Sequence, residues 1–417
     1  METYINTHPG IVVVGGGAAG LTVASLLLRS RPSLKITVVE PSDRHSYQPA
    51  WTLVGAGQFQ IHDTVKPTAT VMPAGVEWIK QRVTKFYPRD DSVELENGSS
   101  LPYRFLIVAA GLQLDWGKID GLEATMGKNG VTSNYSFDCA TYTWECIRNF
   151  KGGRALFTQP GLPIKCAGAP QKILYMAADY FRQHGLKADL SFLLPGAAIF
   201  GVPFFAKALN EVVTEYGITP KFGHNLVAVD GPRRVATFEQ VDGTDRQQVE
   251  IQFDMMHVVP PQSAPDFIKS SPLADASGWV VVHKNSLQHP VYGNVFALGD
   301  CTTTPNSKTV AAVRAQAPVV ASNLLSAMDG EPLSRSYDGY ASCPLTTSIG
   351  KIMLAEFGYD GAIMPSFPLD PRIPRRMNWW LKRYYLPHLY WKMLNQSLGP
   401  DWHRTRNYPE PLPRLTA

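Results

Sequence analysis

The sequence feature that most constrains the fold is a glycine-rich loop near the start of the chain. An apolar run, Ile11–Val14, leads into the loop and a helical pattern follows it. The glycines match the G-x-G-x-x-G spacing, in which the first permits a tight turn, the second admits a pyrophosphate and the third lets helix and strand pack closely. Because the N-terminus of a helix binds phosphate, the loop predicts a dinucleotide site. The residues expected to contact the nucleotide are Gly15, Gly17, Ala18, Ala19 and Gly20.

A carboxylate at a suitable distance supports this prediction. A second apolar run, Ile36–Val39, ends in Glu40, which lies 20 residues after Gly20. Dinucleotide-binding folds place a ribose-binding acid about 20 residues beyond the glycine loop. The loop and the acid together favour a parallel α/β unit that binds the ADP half of a cofactor.

Composition indicates a globular protein of two or three domains. The chain has 417 residues, of which 44% are hydrophobic and 18% are charged. The net charge of +4 is unevenly distributed, because eight Lys and Arg but only one acid lie between Arg372 and Arg406. A near-neutral body with a basic C-terminal segment favours an acidic surface as partner and argues against nucleic acid.

The five cysteines are scattered, and no two form a C-x-x-C pair. This pattern excludes a disulfide framework of the secreted type and predicts no metal site. Cys139 and Cys146 fall on a predicted helix, 136–150, too far apart to bridge each other. We expect both of them, and Cys301, to be packed thiols.

A second strand–helix series follows the first. Its predicted elements are a strand at 154–158, a helix at 170–183 and a strand at 189–194. We place the second nucleotide loop at Leu194–Gly201, where the G-x-G-x-x-G spacing is absent and Ile199 with Phe200 would fill the space of a pyrophosphate. The series therefore predicts a nicotinamide-type domain without its phosphate cradle.

The predicted fold class is α/β, with two Rossmann-like domains of three-layer ββα type and a C-terminal region. A late strand at 295–298, followed by Gly299-Asp300, returns the chain to the first domain. The predicted boundaries are 1–115 with 285–330 for the first domain, 116–284 for the second and 331–417 for the C-terminal region.

The C-terminal region contains a predicted membrane-surface segment. Two helical candidates, 377–386 and 388–398, are separated by Pro387 and interleave aromatic with basic residues. Such helices favour the interface of an anionic bilayer, and no run of 18 apolar residues predicts a span. Because the first strand begins by Ile11, we expect no signal peptide. The expected location is the cytoplasmic face of a bacterial inner membrane, or the mitochondrial inner membrane if the chain is a trimmed mature form.

Together these motifs resemble the sulfide:quinone oxidoreductases, a family of two-dinucleotide-domain flavoproteins, in the branch that includes the animal mitochondrial enzyme. The resemblance covers nearly the whole chain and is most specific around Cys166 and Cys343. The segments that carry it are Tyr47-Gln48-Pro49 with 52–57, then 163–172, Gly299-Asp300-Cys301, Ser307-Lys308-Thr309 and 337–345.

The resemblance implies FAD as cofactor and a redox-active disulfide, or sulfur-bridged pair, between Cys166 and Cys343. Lys165 would favour a thiolate at its neighbour, and Lys308 would lie near the flavin or the quinone. The residues that it adds to the glycine loop as FAD contacts, together with Glu40, are Gln48, Val83, Ala110, Gly111, Gly299, Asp300, Lys308 and Thr309.

The implied reaction is the oxidation of hydrogen sulfide. Hydrosulfide attacks at Cys343 and leaves a persulfide there, while Cys166 delivers two electrons to the flavin, which reduces ubiquinone or menaquinone. Sulfane sulfur leaves as polysulfide or passes to a small acceptor such as glutathione, sulfite or cyanide. The resemblance is also compatible with a homodimer. A third functional cysteine occurs in other sulfide oxidoreductases, which keeps a role for Cys139 open.

Three rival interpretations remain at this point. A non-pumping NADH:quinone oxidoreductase would need a second nucleotide loop, which Leu194–Gly201 lacks. The flavin subunit of a sulfide dehydrogenase is exported and has no aromatic, basic tail. A flavin-free scaffold would require loss of FAD binding, although the glycine loop, Glu40 and Asp300 are all present.

Overall fold

The structure, a computed structural model, describes residues 10–395 as a mixed α/β molecule. In chain order the strands are β1 (Ile11–Val14), β2 (Ile36–Val39), β3 (Arg44–Ser46), β4 (Val65–Pro67), β5 (Val76–Ile79), β6 (Val83–Tyr87), β7 (Ser92–Leu95), β8 (Ser100–Pro102), β9 (Phe105–Val108), β10 (Gln113–Leu114), β11 (Val131–Thr132), β12 (Gly153–Thr158), β13 (Ala188–Leu193), β14 (Thr219–Lys221), β15 (His224–Asp230), β16 (Val235–Asp242), β17 (Asp245–Gln252), β18 (Met255–His257), β19 (Gln262–Ser263), β20 (Val295–Ala297), β21 (Ala341–Ser348) and β22 (Lys351–Phe357). The α-helices are α1 (Ala18–Ser30), α2 (Trp51–Val54), α3 (Thr68–Val71), α4 (Leu122–Thr125), α5 (Phe137–Asn149), α6 (Ala169–Gln183), α7 (Pro203–Glu215), α8 (Asp266–Lys269), α9 (Val310–Met328), α10 (Arg376–Trp380) and α11 (Leu386–Asn395).

The first parallel sheet has the strand order β20-β9-β1-β2-β5. Its central strand β1 is buried along its whole length, as expected for a parallel strand that is covered on both faces. The late strand β20 pairs with β9, so that Val295 lies opposite Leu106. The first sheet therefore combines strands from the start of the chain with β20, which comes much later. This pairing brings the 299–309 loop, which follows β20, back to the side of the glycine loop.

The second parallel sheet has the order β11-β18-β12-β13-β14. Strand β12 occupies the central position in this sheet, between β18 and β13, as β1 does between β9 and β2 in the first sheet. Helix α6 connects β12 to β13, as α1 connects β1 to β2. The counterpart of the glycine loop is therefore the β12–α6 connection, residues 159–168. The prediction that it would lie at Leu194–Gly201 is wrong, because that segment follows the next strand, β13.

A C-terminal hairpin, β21–β22, packs against α6 and the core of the second sheet. Cys343 lies opposite Ala355, and Leu345 opposite Met353, on the buried face of the hairpin. Because side chains alternate along a strand, Leu354 is on the other face. The sulfur of Cys343 therefore lies on one face of the hairpin, and Leu354 lies on the opposite face.

The segment after the hairpin is one continuous helical stretch and not two helices separated by Pro387. Helix α10 continues through a π-helical turn, Leu381–Tyr385, into α11. Proline is tolerated in the first turn of a helix, and Pro387 is the second residue of α11, so the helical stretch does not end there. The predicted continuation to Leu398 lies outside the described residues. Within 10–395, no helix combines the length and apolar character that a membrane crossing needs.

The parallel-strand sheets confirm the predicted α/β class with dinucleotide-binding Rossmann-like character. Most predicted elements are found within one or two residues of their predicted bounds. The stretch 76–83, whose sequence predicts a single short strand, instead contributes to two strands that belong to different sheets, β5 and β6. The domain boundaries given above stay a prediction.

Candidate active site

Two cysteines from distant parts of the chain meet between the second sheet and the C-terminal hairpin. The sulfur of Cys166 lies 3.4 Å from that of Cys343, although the residues are 177 positions apart. Cys166 belongs to the β12–α6 connection, has a left-handed backbone with φ of +50°, and donates its backbone N–H to the carbonyl of Lys308 at 2.9 Å. Cys343 lies in β21 and is only 1% exposed. The two sulfurs are close enough to bond after a small movement.

Glycine at position 168 makes this approach possible. A methyl group at Gly168 would lie 2.5 Å from the sulfur of Cys343 and would overlap the side chain of Leu345. Any larger residue would push the hairpin away from the cysteine loop. Gly168 lies in the segment 163–172, which carries the family resemblance, but no local pattern in the sequence marks this steric role.

The cation beside Cys166 is Lys172 rather than Lys165. The amine of Lys172, in the first turn of α6, donates to the sulfur of Cys166 at 3.0 Å. A hydrogen bond from the Cys343 thiol, together with Lys172, holds the pKa of Cys166 well below the ordinary thiol value, despite burial. The same hydrogen bond and burial raise the pKa of Cys343 well above that value. Burial opposes the charge of Lys172, but the two sulfurs outweigh it and raise its pKa.

The prediction that Lys165 stabilises the thiolate is not supported by its contacts. Its amine bonds to the side-chain oxygen of Gln48 and lies 3.8 Å from the carboxylate of Asp300. Its backbone is fixed on both sides, because its N–H donates to Gln262 at 2.7 Å and its carbonyl accepts from Tyr135 at 2.9 Å. Lys165 therefore joins the cysteine loop to the first domain, on the side where a flavin is expected.

A second buried cation, Lys382, comes from the C-terminal helical stretch. It is 5% exposed, and its amine lies 3.5 Å from the carbonyl of Pro344, next to Cys343. Burial lowers its pKa to about 7, and the nearby charge of Lys172 adds to this effect. No local pattern marked Lys382, because only the tertiary structure brings the C-terminal segment to the cysteines. For Lys172, the position in the first turn of the helix after Cys166 was an available signal.

The glycine loop is shaped as a phosphate cradle. Gly15 has φ of +104°, which favours glycine, and a methyl group at Gly20 would overlap the carbonyl oxygen of Gly15. At Gly17 a methyl group would meet no atom within 4 Å, so this face of the loop is open. Helix α1 begins at Ala18 with no side-chain cap, which leaves the N–H groups of its first turn, including that of Ala19, for an anion.

Glu40 lies beside this loop as predicted for a ribose-binding acid. One carboxylate oxygen accepts from the N–H of Gly16 and the other from that of Ser42, each at 2.8 Å. These bonds hold the carboxylate at the carboxyl edge of the first sheet.

A buried histidine supports the loop from behind. His45 Nδ1 donates to the carbonyl of Gly16 at 3.1 Å, and the hydroxyl of Tyr390 donates to His45 Nε2 at 2.6 Å. Burial lowers the pKa of His45 to about 4, so the ring is neutral at pH 7 and uses one nitrogen as donor and the other as acceptor. Helix α11 is thereby tied to the glycine loop, a connection that the sequence analysis did not predict.

The other predicted flavin contacts surround the same edge of the first sheet. Gly111 has φ of +70°, and a methyl group there would meet nothing within 4 Å, so the chain after β9 is open beside Ala110. Gly299 donates its N–H to Gln316 at 2.8 Å, and Thr309 caps α9 by accepting from Ala312 at 3.2 Å. Gly17 and Gly111 thus leave open space at the carboxyl ends of β1 and β9, where a dinucleotide such as FAD would be accommodated.

Lys308 and Val83 are buried. The amine of Lys308 donates to the carbonyls of Asp300 and Thr302 at 2.7 and 3.0 Å, and lies 4.1 Å from the centre of the Trp279 ring. Burial lowers the pKa of Lys308. Val83 packs in β6 opposite Leu95. The contacts of Lys308 thus fix the loop that carries Asp300.

The remaining cysteines are embedded in hydrophobic packing. Burial raises the pKa of Cys139, and it raises the pKa values of Cys146 and Cys301 to about 11. The sulfur of Cys301 lies 3.5 Å from the carbonyls of Val108 and Leu298. Their burial among apolar side chains and their raised pKa values fit a packing role for these three thiols. Among residues 10–395, no cluster of His, Cys, Asp and Glu could hold a metal ion.

The segment 194–201 is filled, as its sequence predicted. Ile199 and Phe200 are 2% and 6% exposed and belong to the core of the second sheet. The true counterpart loop, 159–168, also lacks the G-x-G-x-x-G spacing. The second sheet therefore has no phosphate cradle at either position.

Comparisons with known proteins show the family of this chain. Residues 9–138 match the family model for pyridine nucleotide-disulphide oxidoreductases. The mitochondrial sulfide:quinone oxidoreductase of Mus musculus is 43% identical over 95% of this chain and 89% of its own length, and that of Dictyostelium discoideum is 45% identical over 92% and 85%. The crystal structure of the Aquifex aeolicus sulfide:quinone oxidoreductase covers 94% of each chain with a TM-score of 0.76 at 20% identity, which shows the same fold. With two relatives above 40% identity over nearly the whole chain, this protein belongs to the sulfide:quinone oxidoreductase family.

Proposed function

We propose that this chain oxidises hydrogen sulfide at Cys166 and Cys343 and transfers two electrons through FAD to a membrane quinone. The observation that carries the proposal is the contact of 3.4 Å between the two sulfurs, with the Lys172 amine 3.0 Å from one of them. A packed cysteine pair would not need a buried cation. This arrangement supports the sulfur chemistry that the family name of the relatives describes.

The electrostatics assign different roles to the two sulfurs. With the pair oxidised, hydrosulfide attacks the sulfur of Cys343, forming a persulfide there and breaking the bond to Cys166, which leaves as a thiolate. A thiol with a low pKa is the better leaving group, and Lys172 holds Cys166 in that state. Transfer of the sulfane sulfur to glutathione, sulfite, cyanide or a growing polysulfide then frees Cys343 as a thiolate. Re-formation of the bond between Cys343 and Cys166 releases the two electrons that FAD would accept. The ammonium groups of Lys172 and Lys382 favour anions in this space.

The residues fit FAD as the electron acceptor. The glycine loop and the first turn of α1 would hold the pyrophosphate, Glu40 the adenosine ribose, and Asp300 the ribityl side. When bound, FAD supplies a two-electron carrier between sulfur and quinone. Lys165 and Gln48, which bond to each other, would orient the cysteine loop against the ring.

The C-terminal segment supports a membrane-surface location. Half-exposed apolar side chains cluster there, including Ile373 at 48%, Trp380 at 59% and Tyr384 at 56%. Basic residues interleave with them, a pattern typical of interfacial helices. A quinone would enter from the bilayer on this side, and mitochondrial relatives favour the inner mitochondrial membrane over the bacterial location.

The main interpretation is favoured over its rivals. An NADH-dependent enzyme would need a phosphate cradle in the β12–α6 connection, residues 159–168, where the G-x-G-x-x-G spacing is absent. A flavin-free scaffold would have no use for the open loop at Gly17.

The test is steady-state reduction of decylubiquinone by sulfide, with persulfide mapping by mass spectrometry. We expect turnover that depends on sulfide and on an added sulfur acceptor, and a persulfide on Cys343 when the acceptor is left out. A persulfide confined to Cys166 would reverse the assigned roles, and a lack of turnover in FAD-loaded protein would refute the proposal.

A further inference from the structure

The backbone of Cys166 is held in a conformation that cysteine rarely adopts. Its φ of +50° lies in the left-handed region, where the Cβ atom of any residue other than glycine crowds the backbone. Strain of this kind persists only where surrounding contacts fix it, and it is concentrated at functional sites. The residues around the β12–α6 connection must therefore supply the contacts that keep Cys166 left-handed.

Hydrogen bonds hold the backbone on the N-terminal side of Cys166. The N–H of Lys165 donates to the side-chain oxygen of Gln262 at 2.7 Å, and the carbonyl of Lys165 accepts from the hydroxyl of Tyr135 at 2.9 Å. The N–H of Cys166 itself donates to the carbonyl of Lys308 at 2.9 Å. Two of these bonds come from side chains, and we call Tyr135 and Gln262 the loop clamp.

Both residues of the loop clamp are themselves fixed in the fold. Gln262 is 8% exposed and belongs to β19, which pairs with β10. Tyr135 is also 8% exposed and follows β11 of the second sheet. The N–H of the preceding residue, Asn134, donates to Nε2 of the fully buried His257 at 3.0 Å. Burial lowers the pKa of His257 to about 3, so the ring is neutral and Nε2 accepts this bond.

The conformation of Cys166 determines where its sulfur lies. With this backbone, the sulfur is 3.4 Å from that of Cys343 and 3.0 Å from the amine of Lys172. A return to negative φ would turn the Cα–Cβ bond and carry the sulfur away from both partners. The titratable groups that act on this sulfur are Cys343 of β21, Lys172 of α6, Lys382 of the C-terminal helical stretch and Tyr135. The thiolate therefore depends on the backbone conformation.

We propose that Tyr135 and Gln262 are positioning residues that hold the sulfur of Cys166 between its two partners. They act through the backbone of Lys165, to which both of them bond. The inference deepens the proposed sulfide oxidation and rests on it for the reaction that the sulfur performs. A role in folding alone predicts only a loss of stability in variants, whereas a positioning role also predicts a change in the acidity of Cys166.

The test measures alkylation of Cys166 by iodoacetamide against pH in full-length, FAD-loaded protein with the pair reduced, followed by peptide mass spectrometry. Tyr135→Phe removes only the hydroxyl, and Gln262→Met removes the acceptor from a side chain of similar length. Loss of one hydrogen bond changes an equilibrium roughly fivefold, so each variant should raise the midpoint of the profile by roughly 0.7 pH unit. The double variant should raise it further. A merely loosened loop would increase the rate at high pH and leave the midpoint in place, which would overturn the inference.

Tyr175→Phe is the matched control. This tyrosine is fully buried, and its hydroxyl donates to the side-chain oxygen of Gln171 at 2.8 Å within α6. The control variant should lose stability as Tyr135→Phe does but keep the midpoint of the wild type. Equal midpoint shifts in the two variants would overturn the inference, because the shift would then follow from any lost buried hydroxyl.

Hydrogen exchange in the wild type tests the loop clamp without a variant. The N–H groups of Lys165 and Cys166 should exchange at least about tenfold more slowly than that of Leu162, in the exposed part of the same connection, because bonded amides exchange only when the structure opens. Equally fast exchange of all three would overturn the inference. Sulfide bleaching of the flavin is a separate measurement. An unmoved midpoint with intact bleaching refutes the loop clamp alone, and a shifted midpoint without bleaching of the wild type refutes the proposed sulfide oxidation alone.

Discussion

The two parallel sheets share a topology but use equivalent loops for different chemistry. After β1, the glycine loop leaves open space at Gly17 and exposes the N-terminus of α1. After β12, the corresponding loop carries Cys166 next to the amine of Lys172. The first loop is built for a phosphate and the second for a thiolate. Both stabilise an anion at the start of a helix, one with backbone N–H groups and the other with a buried ammonium.

The cysteine loop after β12 also contacts the 299–309 loop, which follows β20 of the first sheet. The backbone N–H of Cys166 donates to the carbonyl of Lys308, whose amine holds the loop of Asp300 in the first domain. These two hydrogen bonds link the cysteine loop to the side of the first sheet where the nucleotide is expected.

The strongest test of this contrast removes each sulfur. Cys166→Ser and Cys343→Ser should each lower sulfide-dependent quinone reduction by at least about 10³-fold, the scale seen when a nucleophile is removed. Both variants should keep FAD, because the glycine loop is unchanged. Cys146→Ser, away from the pair, is the control and should retain activity. Full activity in either of the first two variants would refute the role of the pair.

The next test compares one glycine from each sheet. Gly20→Ala should reduce FAD affinity by at least about 100-fold, because the added methyl group would overlap the carbonyl of Gly15 in a site where small misplacements are costly. Gly196→Ala should leave FAD affinity unchanged, since the methyl group would lie 3.9 Å from its nearest neighbour. Flavin content after reconstitution measures both. Equal FAD content in the two variants would contradict the contrast between the sheets.

Lys172→Met tests whether the ammonium of Lys172 stabilises the anion in the loop after β12, the role that helix N–H groups have in the glycine loop. Alkylation of Cys166 by iodoacetamide in the reduced protein should be at least about tenfold slower at pH 7, because a hydrogen bond to a charged group contributes about 1.5–3 kcal/mol. Without the Lys172 ammonium the pKa of Cys166 rises, so that less of the reactive thiolate is present at pH 7. Lys165→Met, whose amine points to Gln48 and Asp300, is the comparison and should change the rate much less. The opposite order would restore the original assignment to Lys165.

Lys382 should add a pH dependence to the same reaction. Its pKa of about 7 means that the ammonium is present below that pH and becomes a neutral amine above it. Stabilisation of the Cys166 thiolate by Lys382 is therefore complete at low pH and is lost as the pH rises through 7. The alkylation profile of the wild type should show a step near this pH that Lys382→Met removes. A profile with the same step in the variant would assign it to another group.

The smallest expected effect concerns the support behind the glycine loop. Tyr390→Phe removes the hydroxyl that donates to His45, which in turn holds the carbonyl of Gly16. A lost hydrogen bond of about 1 kcal/mol corresponds to roughly fivefold weaker FAD binding. Tyr384→Phe, on the exposed side of the same helical stretch, should bind FAD like the wild type. Fluorescence titration with FAD distinguishes these outcomes.

The sequence predicted two strands of the first parallel sheet well because local pattern determines them. Buried β-branched runs defined β1 and β2 with their observed bounds, and the glycine spacing located the open loop between β1 and α1. The cysteine pair came from family resemblance, since nothing local shows that β21 packs against the loop before α6. The cation was misassigned to Lys165 because sequence adjacency does not show side-chain direction. Lys382 and the His45–Tyr390 contact depend on long-range packing, which no local pattern contains.

The central claim is that electrons enter through the sulfur loop of the second sheet and not through a bound nicotinamide. Anaerobic mixing of the oxidised, FAD-loaded protein with sulfide, and separately with NADH, tests this directly by flavin absorbance. We expect bleaching with sulfide and re-oxidation by a short-chain quinone, with no bleaching by NADH. Bleaching by NADH, or an unchanged spectrum with sulfide, would contradict the account.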